Sequence, residues 1–96
     1  MNVKTKCLAS VVRPNPNVIF RRLGDEIVLF HLVTDQFYEL NGTGARFWQL
    51  LVESHDTAEV RRQMLEEFAI DPHQFDAEAE ALLLSLQEQD LISIDG

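Results

Sequence analysis

The hydrophobic positions of the chain change their period near residue 41. Before this point, apolar residues come at about every second position or in short unbroken runs, as they do in β-strands. After it, they return every three to four residues, as they do along one side of an α-helix. The pattern therefore predicts a sheet in the N-terminal half and helices in the C-terminal half.

Three strands are predicted for the first half, over residues 18–23, 26–32 and 36–40. Gly24-Asp25 supplies a two-residue hairpin loop of the type that has glycine first. The second connection is equally short, so the strands form an antiparallel meander.

An irregular N-terminal arm is predicted over residues 1–17, because Pro14 and Pro16 each lack a backbone donor. The folded domain then comprises residues 18–96.

The second predicted strand is apolar on both of its faces. Ile27, Leu29 and Val33 point to one side, and Val28, Phe30 and Leu32 point to the other. In a sheet with one solvent-exposed face, apolar and polar residues would alternate more strictly along the strand. We therefore expect helices to cover one face, and the arm, another protein or a second copy to cover the other.

Three helices are predicted after residue 41. The first starts from an N-cap at Asn41 or Thr43 and ends near residue 53, and the second is capped by Asp56 or Thr57. Asp71 followed by Pro72 is a typical start for the third, which runs to about residue 89. Residues 91–94 form a short strand or a packed tail.

The 96 residues carry a formal charge of −8, which suits one small domain and argues against binding of nucleic acid phosphates. The charge is uneven: residues 1–40 sum to +1 and residues 41–96 to −9. The N-terminal apolar stretch, which Arg13-Pro14 interrupts, is shorter than the apolar core of a secretion signal, and no apolar stretch reaches about 20 residues. We therefore expect a cytoplasmic protein that does not enter a membrane.

Residues with catalytic potential are sparse and scattered. His31, His55 and His73 share no ligand spacing, and Cys7 is the only cysteine. No serine lies in a nucleophile elbow, and no glycine-rich loop has phosphate-binding spacing. We expect no catalytic residue, metal site or cofactor, and hence a protein that is not an enzyme.

Residues 40–51, LNGTGARFWQLL, resemble the Leu-Asn-x-Thr-Gly-x-x-x-Trp-x-Leu-Leu signature of PqqD-like proteins. The flanks agree, with Arg13-Pro14 before the first strand, Asp25-Glu26 before the second and Asp71-Pro72 at the third helix. The resemblance covers roughly residues 13–92. It departs at Asp90, where the family usually has a glycine that ends the helix in left-handed geometry.

The resemblance implies an α+β fold of the winged helix-turn-helix type, with a three-stranded antiparallel sheet followed by three helices. Members of the family are precursor-peptide recognition elements in the biosynthesis of ribosomally made, post-translationally modified peptides (RiPPs). They bind the leader segment of a precursor as an extra strand beside the third strand, in a cleft against the third helix.

In this chain, that cleft implies ten peptide-binding residues: Gln36, Phe37, Tyr38, Glu39 and Leu40 on the strand, and Phe75, Ala79, Leu82, Leu83 and Leu86 on the helix. An edge strand offers free backbone groups to an extended peptide, which agrees with this assignment. For the helix residues, core packing is the alternative.

The interpretation is a non-catalytic binding protein that presents a leader to a leader protease and a cyclase, as in lasso peptide biosynthesis, or to another modifying enzyme. A peptide chaperone of pyrroloquinoline quinone (PQQ) biosynthesis is one alternative. A winged-helix transcription regulator is another, although the helical half carries −9. A module that forms a homodimer through its apolar sheet face is the third.

Overall fold

The computed structural model describes residues 11–95. Its elements are β1 (Val11–Pro14), β2 (Val18–Leu23), β3 (Glu26–His31), β4 (Gln36–Asn41), α1 (Thr43–Ser54), α2 (Thr57–Glu67), α3 (Pro72–Glu88) and β5 (Ile92–Asp95). This arrangement confirms the predicted α+β class, with an antiparallel meander followed by three helices.

The main sheet has the order β2-β3-β4, and each neighbouring pair is antiparallel. Gly24 has a φ of 63°, as the predicted hairpin loop between β2 and β3 requires. On the inner face of the sheet, Ile27 and Leu29 are almost fully buried against the helices. The sheet and the helices thus share one core.

Residues 11–14 form β1, so the irregular conformation predicted for these residues is wrong. β1 pairs with β5 in a separate two-stranded sheet, and Val12 belongs to the core. Pro14 lies at the end of the strand in a sheet that has only edge strands, where a missing N–H is tolerated. Residues 1–10 lie outside the described part, and the division at residue 17 stays a prediction.

The predicted starts of the second and third helices are confirmed. The Asp56 carboxylate accepts hydrogen bonds from the N–H groups of Ala58 and Glu59 at the start of α2. The Asp71 carboxylate accepts one from the N–H of Gln74, and Pro72 opens α3. Both side chains satisfy backbone donors that the first turn leaves free.

The start of α1 differs from the prediction, because the N-cap is Gly42 rather than Asn41 or Thr43. Gly42 has a φ of 56° and a ψ of −127°, a combination that only glycine adopts readily. Its N–H donates to the carbonyl of Asp25 at 3.3 Å, which continues the β3–β4 ladder up to the helix. The chain therefore turns from strand to helix within one residue.

The core lies between the inner face of the sheet and the three helices. Trp48 is fully buried at its centre, and the ring of Phe20 meets it edge-on at 5.8 Å. No helix within residues 11–95 has the length and hydropathy needed to cross a bilayer.

A polar cluster around the buried His31 joins three parts of the fold. His31 is 1% exposed, and its Nδ1 accepts the N–H groups of Val33 and Thr34 at 3.1 and 3.3 Å. Because Nδ1 accepts, Nε2 carries the hydrogen and donates to the Asp90 carboxylate at 3.1 Å. The side chain of Asn15 donates to the same aspartate.

This cluster explains the aspartate at the position where glycine is usual. Asp90 has the left-handed φ of 62° that the end of α3 requires. A non-glycine residue is disfavoured in that conformation. Here the hydrogen bonds from His31 and Asn15 compensate, and they connect the end of α3 to β3 and to the β1–β2 link.

We expect His31→Leu to lower the free energy of unfolding by about 1–2 kcal/mol, because it removes a buried ring that accepts hydrogen bonds from Val33 and Thr34 and donates one to the Asp90 carboxylate. Urea denaturation followed by circular dichroism measures the change. His73→Leu is the control, since His73 is exposed in the first turn of α3. Equal stability of the two variants would show that the cluster does not stabilise the fold.

Candidate functional site

Half of the backbone groups of β4 face an open edge. The bond from the Gly42 N–H to the Asp25 carbonyl fixes which residues of β4 bond to β3, because the two orientations alternate in an antiparallel ladder. Tyr38 and Leu40 therefore bond to β3, whereas the N–H and C=O groups of Phe37 and Glu39 point outward. Within residues 11–95, these outward groups have no partner.

Helix α3 runs beside this edge. At one end, the Tyr38 hydroxyl donates to the side-chain oxygen of Gln89 at 2.9 Å. At the other end, Phe75 and Ala79 line a cavity together with Gly44, which lies three residues after β4 ends. Residues 75–89 span about 21 Å as a helix and the six residues of β4 about 20 Å, so helix and strand match in length.

The cavity lies where α3, α1 and the segment after α2 meet, and its volume is about 180 Å³. Its walls are mostly apolar, and Glu78 is the one charged residue among them. The lining residues are Thr43, Gly44, Phe47, Met64, Ile70, Phe75, Glu78, Ala79 and Leu82. An apolar pocket with one carboxylate suits an apolar side chain of a ligand.

The five predicted strand residues all lie on β4 but on two faces. Tyr38 and Leu40 are half-buried and pack against the core. Gln36 lies on the same face as these two, because side chains alternate along a strand. Phe37, which is 69% exposed, and Glu39 lie on the outer face, away from the helices.

The five predicted helix residues also divide. Phe75, Ala79 and Leu82 line the cavity. Leu83 and Leu86 lie in the core, with 0% and 4% exposure, and do not line the cavity. Phe75 and Ala79 are equally buried members of the core, so core packing describes four of the five helix residues, two of which also line the cavity.

Sequence reasoning missed the cavity residues that come from outside β4 and α3: Thr43, Gly44, Phe47, Met64, Ile70 and Glu78. Thr43 and Gly44 belong to the family signature, but in the sequence they indicate only a turn from strand to helix. Met64 lies on α2 and Ile70 in the link between α2 and α3, and no local signal shows that the tertiary fold brings both to the pocket.

All three arginines of the helical half are paired with carboxylates. Arg46 binds Glu67, Arg61 binds Asp76, and Arg62 binds Glu59 and Glu66. The hydrogen bond from Arg62 lowers the pKa of Glu59 to about 2, and the bond from Arg46 also lowers the pKa of Glu67. These groups are charged at neutral pH, and none of the three guanidinium groups is free.

The model of the family described as coenzyme PQQ synthesis protein D (PqqD) matches residues 26–92, which is more than half of the chain. No curated protein sequence shows significant similarity to the chain.

Two solved structures share the fold. One is TbiB1 in complex with the TbiA(beta) leader peptide, which is 26% identical, covers 84% of this chain and 94% of its own, and superposes with a TM-score of 0.81. The other is lasso peptide synthetase B1 complexed with the leader peptide, which is 23% identical, covers 85% and 96%, and has a TM-score of 0.76.

Proposed function

The chain belongs to the PqqD family, and on this premise we propose that it binds the leader segment of a ribosomally made precursor peptide. In this proposal the protein is non-catalytic and presents the bound precursor to modifying enzymes. A structural relative at 26% identity was solved with a leader peptide bound, which supports the same class of ligand here.

The open edge of β4 is the observation that carries the proposal. The outward N–H and C=O groups of Phe37 and Glu39 can pair with an extended peptide, which would become the fourth strand of the sheet. β2 also has an open edge in the described residues, but its inner face meets α1, where Phe20 contacts Trp48. β4 is instead bonded to the end of α3 through Tyr38 and Gln89, and it leads directly into Thr43 and Gly44 at the cavity.

Backbone pairing alone does not distinguish one leader from another, so side chains must supply the specificity. Every second residue of the added strand would face the groove between β4 and α3, beside Tyr38 and Leu40. A leader residue near the end of β4 would place an apolar side chain in the cavity between Phe75 and Ala79. The expected leader therefore alternates in polarity and carries a large apolar anchor.

The pathway we propose is lasso peptide biosynthesis, in which the chain would deliver the precursor to a leader protease and then to a cyclase. The shared fold with lasso peptide synthetase B1, which was solved with a leader peptide, supports this choice. A peptide chaperone of PQQ biosynthesis is the second candidate, and the description of the matching family favours it. The genes beside this one distinguish the two, because a lasso pathway encodes a short precursor, a protease and an asparagine-synthetase-like cyclase.

Use of the winged-helix shape for DNA binding finds no support. A recognition helix needs basic side chains that contact phosphates. The arginines of α1 and α2 are instead bound to carboxylates, α3 has no arginine, and none of the three helices has a lysine.

We expect the leader of the precursor encoded beside this gene to bind with micromolar or tighter affinity, and Ala79→Leu to weaken that binding by about tenfold or more. The larger side chain fills the cavity that would receive the leader's anchor. Fluorescence anisotropy of a labelled leader measures both values, with a scrambled leader as the negative control. Ala81→Leu is the matched control, since Ala81 is exposed on α3. No binding of the leader to the unaltered protein would refute the proposed function.

We expect Glu39→Pro to weaken leader binding by about tenfold or more, whereas Glu39→Ala has a smaller effect. Proline removes an N–H that faces the open edge and is not part of the β3–β4 ladder, so the fold is kept. Alanine removes the carboxylate but keeps the N–H. Equal affinities for the two variants, with unchanged circular dichroism, would contradict pairing at this edge.

A further inference from the structure

The outer face of the main sheet is apolar and uncovered within residues 11–95. Ile19, Phe30 and Phe37 lie side by side across the three strands. Ile19 is 54% exposed and Phe37 is 69% exposed, and the rings of Phe30 and Phe37 are 4.7 Å apart. A contiguous exposed apolar surface of this kind marks an interaction site.

The next row on the same face carries one charge of each sign. Arg21, Val28 and Glu39 are in register, with Val28 on the central strand. Arg21 and Glu39 thus lie on opposite sides of β3, about 10 Å apart between their Cα atoms. Neither side chain forms an ion pair with any residue of the described part.

We propose that this outer face binds the outer face of a second copy of the chain. A twofold axis that runs along β3, midway between two facing sheets, would place β2 of each protomer over β4 of the other. Arg21 would then face Glu39 of the partner subunit, and Ile19 would face the partner subunit's Phe37. The arrangement is isologous, so each contact occurs twice.

Self-complementary charges favour a second copy over an unrelated protein. An unrelated partner would need its own basic and acidic groups at matching positions, whereas the twofold arrangement supplies both from one surface. The apolar row meets itself in the same arrangement, with Phe30 on the axis facing the partner's Phe30.

The area of contact between the two faces is small, and it determines the affinity that we expect for the dimer. Three strands six residues long present a face of about 14 by 20 Å, which lies below the standard size of specific interfaces. Glu26, in the third row, would face its own copy on the axis, so the contact is centred on the first two rows. We therefore expect a dissociation constant on the order of 100 µM.

The dimer leaves the β4 backbone edge open, because the two sheets meet through side chains and not through a ladder. Each protomer would keep its own groove beside α3. The inference therefore does not depend on leader binding, and its test uses no leader.

A charge exchange tests the proposal. Sedimentation equilibrium of the full chain from 10 µM to 1 mM should show a reversible dimer. Arg21→Glu and Glu39→Arg should each weaken the dimer by about tenfold, because like charges then face each other. The dissociation constant of the double variant should return to within about threefold of that of the original protein. This recovery would show that the single variants lose a contact and not the fold.

A second pair of variants tests the apolar row. Phe37→Ser should abolish the dimer, whereas Leu84→Ser, at an exposed leucine on α3, should leave it unchanged. A monomer at 1 mM would overturn the proposal and leave the outer face to another protein. A double charge variant that stays as weak as the single variants would overturn it as well.

Discussion

The open backbone edge of β4 is the constraint on which the functional account depends. A three-stranded sheet must end somewhere, and here it ends at a strand whose outward groups have no partner within residues 11–95. Open edges are hazards because they pair with other chains. This edge is short, and α3 runs beside it with the Tyr38–Gln89 hydrogen bond at one end of the groove. The open edge of β4 therefore selects among peptides, since a peptide that pairs with it must also fit the groove.

Much of the fold could be predicted from local signals. Gly24 marked a hairpin, and Asp56 and Asp71 marked helix starts, because each of these residues acts on neighbours in the sequence. β1 was missed because its partner, β5, lies about 80 residues further along the chain. The prolines near β1 indicated only that backbone donors are missing there. No local signal in the sequence could show that Val12 is buried in the core.

The candidate site was predictable only in part, for the same reason. The edge strand follows from the order of the strands, and the cavity residues of α3 follow from its apolar side. The structure separates Leu82, at the cavity, from Leu83, in the core, although periodicity places both in one sector. Asp90 departs from the family pattern in the sequence, but in the structure hydrogen bonds from His31 and Asn15 hold it in place. The −9 of the helical half already counts its three arginines, and the structure shows that each of them is bound to a carboxylate.

The most direct test of the account is amide hydrogen exchange of β4 with and without the leader of the neighbouring precursor gene. In the free protein, the amides of Phe37 and Glu39 should exchange fast and those of Tyr38 and Leu40 slowly, following the alternation of the ladder. Saturating leader should slow Phe37 and Glu39 by about a hundredfold or more and leave Phe20 and Arg22, on the open edge of β2, unchanged. Leader binding without protection of Phe37 and Glu39 would contradict pairing at this edge.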